Sequence, residues 1–221
     1  MSADRPLPDP RAPQRVARRA LLRTAAVPLG LPLAAAAAPS AGPLRPTPRQ
    51  SRGPFYPLDP ARDAGPDLIL ERDGRRAAGE PVRLEGRVLD TAGRPLASTL
   101  VELWQCNAAG RYHHPHDTGA APIDPLFTGY GRAVAGPDGG WRFRTIRPVP
   151  YPGRTPHIHL QFTAPDGRSL VTQLYVRGEP ANQRDGLLAR LTAAHREQLM
   201  AGFGRAADGG WQAAFEAVLP G

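Results

Sequence analysis

The sequence predicts an all-β protein, a β-sandwich with an extended N-terminal arm and one C-terminal helix. Apolar and polar residues alternate with a period of two in several short segments, which is typical of strands with one buried face. Glycine and proline, with 24 and 27 residues among 221, separate these segments at intervals of roughly ten residues, the spacing of a sandwich. The helical period is clear in one segment only.

Residues 1–41 are interpreted as an export signal rather than as part of the fold. The stretch "RVARRALLRTAAVPLGLPLAAAAAPSA" runs from basic residues through a short apolar segment to small residues. Arg18 and Arg19, followed by two leucines, resemble a twin-arginine signal, which predicts export to the periplasm or the extracellular space. The apolar segment is short and interrupted by proline, so we expect no membrane span in the mature protein. The alternative is a disordered tail on a cytoplasmic protein.

The net charge of +8 does not indicate a nucleic-acid partner. Half of this charge lies in residues 1–41, and the rest of the chain has no basic run interleaved with aromatic residues. The single cysteine, Cys106, excludes an intrachain disulfide. It lies in an apolar run, where we expect a buried, inert thiol.

Residues 42–80 are rich in proline, glycine and charge and are predicted to form an extended arm, with Phe55 and Tyr56 as anchors. The sandwich domain is expected over residues 81–221. Its first strand lies in "PVRLEGRVLD", where apolar residues alternate with charged ones, and "TLVELWQCN" and "GGWRFRTI" continue the pattern. The stretch "HIHLQFTAPDGRSLVTQLYV" predicts a hairpin of two strands joined by the turn "APDG".

The helix is predicted over residues 183–202, because the leucines of this segment fall near one face and Asp185 can serve as the N-cap. His195 lies on this helix and is expected to be solvated. In the C-terminal "WQAAFEAVL", large apolar residues recur every four positions. That spacing suits either a helical turn or one face of a final strand, and we favour the strand.

The candidate site is centred on "PYPGRTPHIH". Residues two apart on a strand project to the same face, so His157 and His159 would present two imidazoles side by side. This geometry suits two ligands of one metal, although paired histidines on a strand are more often ordinary polar residues. The nearby tyrosines Tyr151 and Tyr112 favour the interpretation of this segment as a metal site. The phenol has a pKa of about 10, so tyrosine binds metal at neutral pH only where a strong Lewis acid such as Fe(III) holds the phenolate.

Six ordered segments resemble the intradiol ring-cleavage dioxygenases: "GPFYP", "VELWQCNAAGRYHH", "APIDPLFTGYGR", "DGGWRFRTIRPVPYP", "PHIH" and "TQLYVRGEP". The resemblance runs from about residue 52 to 182, with a weaker echo at the C-terminus. The family binds a single non-haem Fe(III) per chain through two tyrosines and two histidines. The resemblance assigns these ligands to Tyr112, Tyr151, His157 and His159. It assigns the catalytic arginine to Arg154 and the active-site glutamine to Gln173.

The resemblance also implies a reaction, in which O2 cleaves a catechol-type ring between its two hydroxylated carbons to give a cis,cis-muconate-type diacid. The substrate dianion would displace Tyr151, Arg154 would stabilise negative charge on the ring, and Gln173 would orient Arg154 or the substrate. The expected partners are a small aromatic diol and O2. Since there is one kind of chain, the assembly expected is a homo-oligomer. Val149 and Gly153 depart from the family's pattern at the pocket mouth, which leaves the identity of the catechol open.

Two other functions are consistent with part of the sequence. The segments "GRVLDTAGRPLASTLVEL" and "GGWRFRTI" would suit an exported transthyretin-like β-sandwich that binds ligands without catalysis. Such a module has no need for the set of tyrosines, histidines and arginine. A zinc or ferrous hydrolase would need a carboxylate beside the histidine pair, and the closest in sequence, Asp166, lies in a turn.

The remaining polar residues near these motifs have structural interpretations. His113, His114 and His116 form "HHPH", which is either a second metal patch or, as we favour, a surface loop beside the site with His114 packed beneath it. Asp124 and Arg132 are expected to fix a loop rather than to act in catalysis.

Overall fold

The computed structural model describes residues 42–62 and 64–221, and within them it contains eleven strands and one short α-helix. The strands are β1 (Glu71–Arg72), β2 (Arg75–Arg76), β3 (Pro81–Asp90), β4 (Leu100–Trp104), β5 (Tyr130–Val134), β6 (Gly140–Ile146), β7 (His157–Thr163), β8 (Ser169–Val176), β9 (Met200–Ala201), β10 (Gly204–Arg205) and β11 (Trp211–Leu219). The helix is α1 (Ala193–Gln198). In the described ranges, every helix is too short or too polar to cross a membrane. The predicted export signal at 1–41 lies outside the described residues.

Two sheets form the sandwich, which confirms the predicted all-β fold. One has four strands in the order β10-β11-β3-β6, and the other has five in the order β5-β4-β7-β8-β9. Neighbouring strands are antiparallel except for β11 beside β3 and β8 beside β9, which are parallel. Strands β1 and β2 pair with each other as a small hairpin that the sequence did not predict. The last segment is strand β11, as favoured from its pattern.

The core lies between the sheets and is built from the inward face of each. In β3, Val82 and Leu84 are buried and alternate with exposed charged residues, as the sequence pattern predicts. Burial of each such side chain stabilises the fold by about 1.5–3 kcal/mol. Replacing Gly86 of the same strand would displace the neighbouring strand β11, because a Cβ there would overlap the carbonyl oxygen of Phe215.

The outer face of the five-stranded sheet is covered as well, and it carries the residues of the candidate site. Along β7, Ile158 and Leu160 belong to the core between the sheets, whereas His157 and His159 alternate with them and face the other way. Both histidines are only 1% exposed, so a second layer of chain must lie over this face.

The predicted N-terminal arm supplies part of that layer. The backbone N–H of Thr47 donates to the carbonyl of Val218 on β11, and that of Gln50 donates to the carbonyl of Val171 on β8, each at 2.9 Å. Farther along, the side-chain Nε2 of Gln173 on β8 donates a hydrogen bond of 2.8 Å to the carbonyl of Ser51. The arm therefore passes from the four-stranded sheet onto the outer face of the five-stranded one.

The predicted helix over residues 183–202 is wrong in length. The segment contains 3₁₀ turns at Pro180–Arg184 and Leu188–Arg190, then α1, then β9. Thr192 rather than Asp185 caps α1, since the Thr192 side chain accepts a hydrogen bond from a backbone N–H of the first turn. The Asp185 side chain binds the backbone of the second 3₁₀ turn, and pairing of β9 with β8 takes the end of the segment out of the helix.

Candidate metal centre

Two imidazoles meet at the start of β7. The Nε2 atoms of His157 and His159 lie 3.2 Å apart, and the ring centroids are 4.8 Å apart. The Nδ1 atom of His157 is 2.7 Å from the carbonyl oxygen of Thr155, which can only accept, so Nδ1 carries the proton and Nε2 presents a lone pair. The pair therefore directs nitrogen toward one point in space, as the strand period predicts.

Both histidines are held in their neutral form. Burial lowers the pKa of His157 to about 4, and the positive charge of Arg154 acts in the same direction. Burial lowers the pKa of His159 well below its usual value, and His157 and Arg154 lower it further. Neutral imidazole is the form that binds a metal, so this environment keeps both lone pairs available near pH 7.

The rings of two tyrosines from separate loops lie beside the histidine pair. The ring centroid of Tyr112 lies 5.4 Å from that of Tyr151 and 6.3 Å from that of His159. The ring of Tyr151 is 5.3 Å from that of His157. The two loops approach closely at Gly110, which has a φ of 76° and would bring a Cβ to 2.8 Å from the carbonyl oxygen of Pro150.

The phenol oxygens have few partners of their own. The Tyr112 hydroxyl is buried and makes no hydrogen bond, and burial raises its pKa well above the usual value. Burial also raises the pKa of Tyr151, although Arg154 opposes that change. A buried hydroxyl without a partner costs free energy, and a cation held by both phenols would remove that cost. The set of two phenols and two neutral imidazoles thus fits a hard, highly charged metal ion.

Polar residues around the cluster hold its side chains in place. Arg154 lies between the ligand candidates and β8, with Nη1 3.4 Å from both the Tyr151 hydroxyl and His157 Nε2. Its Nη2 donates to Oε1 of Gln173 at 2.7 Å. The Tyr175 hydroxyl donates to the same amide oxygen at 2.9 Å, so the orientation of the Gln173 amide is fixed. The structure brings together all six residues that the sequence analysis assigned to the site.

The indole that supports the histidine pair is not predicted from the sequence. Strand register places Trp104 of β4 directly beside His159. The two rings are parallel within 7°, with centroids 4.9 Å apart. The sequence pattern predicts Trp104 only as a strand residue, because its stacking partner is far away in the sequence.

The arm completes the enclosure. Gly53 has a φ of 70°, and a Cβ there would lie 3.2 Å from Cε1 of His159. Phe55, predicted as an anchor, packs on Tyr112 with ring centroids 4.7 Å apart. Tyr56, the other predicted anchor, donates a hydrogen bond to Glu102 at 2.9 Å. Both anchors are thus part of the layer that covers the site.

The other polar residues that the sequence singled out lie outside the cluster. His113, His116 and His195 are exposed, whereas His114 is buried and accepts a hydrogen bond from the His116 backbone. In the part of the chain that the structure describes, no three His, Cys, Asp or Glu side chains form a metal-binding group. Asp124 and Arg132, which are expected to fix a loop, also lie outside the cluster.

Asp124 and Arg132 fix neighbouring loop backbone, as expected, although Arg132 itself lies on β5. Asp124 accepts hydrogen bonds from the backbone of Ala78 and Leu126, and Arg132 donates to the carbonyl of Arg62. Cys106 is buried, and burial raises the pKa of its thiol to about 12, in agreement with the inert thiol expected from the sequence.

Comparison with known proteins adds an independent line of evidence. The chain matches the family model described as Dioxygenase over residues 52–221. It is 39% identical over 173 residues to the protocatechuate 3,4-dioxygenase beta chain of Burkholderia cepacia, an alignment that covers 73% of this chain and 74% of that protein. It is 33% identical over 154 residues to hydroxyquinol 1,2-dioxygenase of Nocardioides simplex. That alignment covers 61% of this chain and 49% of the relative, so the chain spans about half the relative's length.

A solved structure shares both fold and sequence with the chain. The dioxygenase domain of a dioxygenase and carbohydrate-binding protein fusion from Streptomyces sp. SirexAA-E is 34% identical, with a TM-score of 0.61. The superposition covers 80% of this chain and 99% of that domain.

Proposed function

The chain belongs to the intradiol ring-cleavage dioxygenase family, and from this premise we propose that it is a non-haem, Fe(III)-dependent enzyme with one ferric ion per chain. Its substrate is a catechol-type diol. With O2, the ring opens between the two hydroxylated carbons and gives a cis,cis-muconate-type diacid. The observation that carries the proposal is a cluster of two phenols and two neutral imidazoles, in which the Nε2 atoms lie 3.2 Å apart and the tyrosine rings lie 5.3–5.4 Å from their neighbours in the cluster.

The ligand set supports ferric iron over other ions. Phenolates are hard, anionic donors, and a phenol with a raised pKa gives up its proton only to a strong Lewis acid. Tyr112, Tyr151, His157 and His159 would hold the ion. Bound Fe(III) would withdraw electron density from a coordinated catecholate and so make the ring reactive toward O2.

Tyr151 is the ligand that the substrate would displace. A catechol that binds through two oxygens as a dianion brings two negative charges, and loss of one phenolate keeps the site near neutral. The Tyr151 hydroxyl already has a second partner in Arg154 at 3.4 Å, whereas the Tyr112 hydroxyl has none. We therefore assign to the Tyr151 Oη the role of accepting one of the two substrate protons when it is displaced, while the other proton would leave to solvent.

Arg154 and Gln173 would stabilise the reacting ring. The guanidinium is a fixed positive charge beside the ligand cluster, in a place where negative charge builds on the substrate. Gln173 accepts from Arg154 Nη2 through its amide oxygen, and its Nε2 donates to the arm at Ser51. The glutamine thus ties the catalytic cation to the chain segment that covers the site.

Colour and oxygen uptake test the proposal together. The purified protein should be red-brown through tyrosinate-to-Fe(III) charge transfer, and it should consume O2 with at least one of catechol, protocatechuate and hydroxyquinol. Product analysis should show a ring opened between the two hydroxyls. A protein that stays colourless after reconstitution with ferric iron, or a ring opened beside the two hydroxyls, would contradict it.

We further propose that residues 1–41 export a folded, metal-loaded protein through the twin-arginine route. The support is the arginine pair at Arg18 and Arg19 before the apolar segment. Replacement of both by lysine should retain the protein in the cytoplasm, as measured by cell fractionation and immunoblotting. The matched replacement Arg72→Lys, in an exposed strand, should leave export unchanged. Equal export of both variants would exclude this route.

A further inference from the structure

We propose that Asp185 is a positioning residue that holds the Arg154 guanidinium in its working orientation. The inference rests on the proposed function, since it assigns the source of order for the proposed catalytic cation. Asp185 was expected from the sequence to cap a helix, and the structure gives its carboxylate a different partner. The contacts, burial and charge of Asp185 support this role.

Asp185 and Arg154 form a buried ion pair. Oδ2 of Asp185 accepts a hydrogen bond from Arg154 Nε at 2.8 Å, and the Asp185 side chain is 0% exposed. The Arg154 side chain is 15% exposed. The backbone N–H of Thr155 donates to the same carboxylate oxygen at 3.2 Å. The carboxylate thus contacts both the side chain of the arginine and the backbone that follows it.

The two carboxylate oxygens have separate tasks. Oδ1 accepts hydrogen bonds from the backbone N–H groups of Leu187 and Leu188, at 3.0 and 3.1 Å. These bonds fix the carboxylate to the 3₁₀ turn, so it forms a rigid base for its partner. Oδ2 is left to face Arg154. Oδ1 thus binds the loop, and Oδ2 orients the guanidinium.

Because Nε of Arg154 is bound to Asp185, the other two nitrogens face the site. Nη1 lies 3.4 Å from the Tyr151 hydroxyl and from His157 Nε2, and Nη2 bonds to Gln173. A guanidinium is planar, so fixing Nε and one Nη atom leaves it a single orientation. Without the carboxylate, rotation about the terminal bonds would remove the charge from that position.

The Asp185 carboxylate also supplies the charge that faces the guanidinium. Burial raises the pKa of Asp185, but the hydrogen bond from Arg154 and the backbone hydrogen bonds prevail, so the net pKa is lowered. The carboxylate therefore remains charged near pH 7. Within the described ranges, this is the one ion pair that Arg154 makes.

Asp185→Asn tests the inference with little change in shape. Asparagine keeps an oxygen for the backbone of Leu187 and Leu188, but its amide NH₂ cannot accept from Arg154 Nε. We expect iron content and colour close to those of the parent protein and a lower Tm, because the guanidinium loses its buried partner. In the folded, metallated protein kcat should fall roughly 10- to 100-fold, with KM changed much less. The control is Asp166→Asn, whose carboxylate pairs with Arg168 at an exposed turn. A kcat within twofold of the parent in a fully metallated D185N protein would overturn the inference.

A double-mutant cycle separates positioning from general loss of structure. If Asp185 acts through Arg154, Asp185→Asn should change kcat by less than about twofold in an Arg154→Gln background, because the partner is already absent. Full multiplication of the two effects would refute that coupling even if D185N is less stable. Crystal structures add a readout apart from turnover, since the guanidinium of D185N should leave Gln173. An unmoved guanidinium would also overturn the inference, whereas a parent protein inactive on every catechol would count against the proposed function alone.

Discussion

At the scale of single residues, the four proposed ligands and Arg154 differ in what they bind, and this difference can be measured. Tyr112 and His159 are buried and face the cluster, so Tyr112→Phe or His159→Ala should abolish most of the bound iron and the colour. Arg154→Gln should retain iron and colour but reduce kcat at least 100-fold, because only a charge near the substrate is lost. Metal analysis, the charge-transfer band and O2 uptake report these outcomes.

Tyr130→Phe is the matched control for the loss of a hydroxyl. Tyr130 is buried like Tyr112, but its hydroxyl donates to Glu102 rather than facing the cluster. Iron content should therefore stay at the parent level. Equal loss of iron in the Tyr112, His159 and Arg154 variants would contradict the separate roles.

The thiol of Cys106 gives a second prediction at this scale. Burial raises its pKa to about 12, so the folded protein holds it as the unreactive thiol at pH 8.5, where an exposed cysteine is about half ionised. A disulfide reagent at pH 8.5 should label the native protein slowly, if at all, and should label one thiol per chain in denaturant. Rapid stoichiometric labelling of the native state would show that Cys106 is accessible.

The residues of the site were largely predictable because they belong to short, ordered motifs. His157 and His159 follow from the strand period, and the tyrosines and Arg154 follow from the family resemblance. Trp104 and Asp185 could not be found in this way. Their partners lie 55 and 31 positions away in the sequence, so the stacking and the ion pair depend on strand register and loop packing.

At the scale of elements, the arm is held down by a buried carboxylate. Oε1 of Glu102 on β4 accepts hydrogen bonds from the hydroxyls of Tyr56 and Tyr130, at 2.9 and 2.6 Å. Its other oxygen accepts from Gln161 on β7 at 2.8 Å, and Gln161 also contacts Arg52 of the arm. The arm is therefore fixed to the sheet beside the histidine pair.

Tyr56→Phe should loosen the arm while preserving the sandwich. Loss of one hydrogen bond to a charged, buried group costs about 1.5–3 kcal/mol, and here the cost falls on the attachment of the arm. Trypsin should cut at Arg49 or Arg52 faster than in the parent, as followed by mass spectrometry. Tyr130→Phe removes the other donor to the same carboxylate but lies on β5, so it should lower Tm similarly without faster cleavage of the arm. Equal cleavage in both variants would exclude Tyr56 as the anchor.

The strands were predictable and the helix was not, for physical reasons. Alternation in "PVRLEGRVLD" and "HIHLQFT" reflects one buried face, a local property of the chain. The leucines of residues 183–202 have a helical period, but Asp185 and the pairing of β9 with β8 impose other backbone conformations. The sequence does not predict strand β5, because "YGRAV" is short and lacks clear alternation.

At the scale of the whole molecule, the site joins segments that are far apart in the sequence. Tyr112 follows β4, Tyr151 precedes β7, the histidines lie on β7, and the covering arm comes from the N-terminal side of the domain. The proposed metal, held by the two tyrosines and the two histidines, would link the loops to the sheet. Since the unfolded chain cannot assemble these ligands, metal binding should stabilise the folded protein as a unit.

Removal of the metal should therefore lower Tm in one cooperative step. A free metal concentration 100 times its Kd would contribute about 2.7 kcal/mol, which corresponds to a shift on the order of 5–10 °C for a chain of this size. Calorimetry before and after treatment with an iron chelator, followed by reconstitution with ferric iron, measures the shift and its reversal. The Tyr112→Phe variant is the control, because its Tm should not respond to the chelator. A parent Tm that is equally unresponsive would mean that the four side chains do not bind one ion together, since a shared ion cannot be removed without weakening the contacts among the elements that hold it.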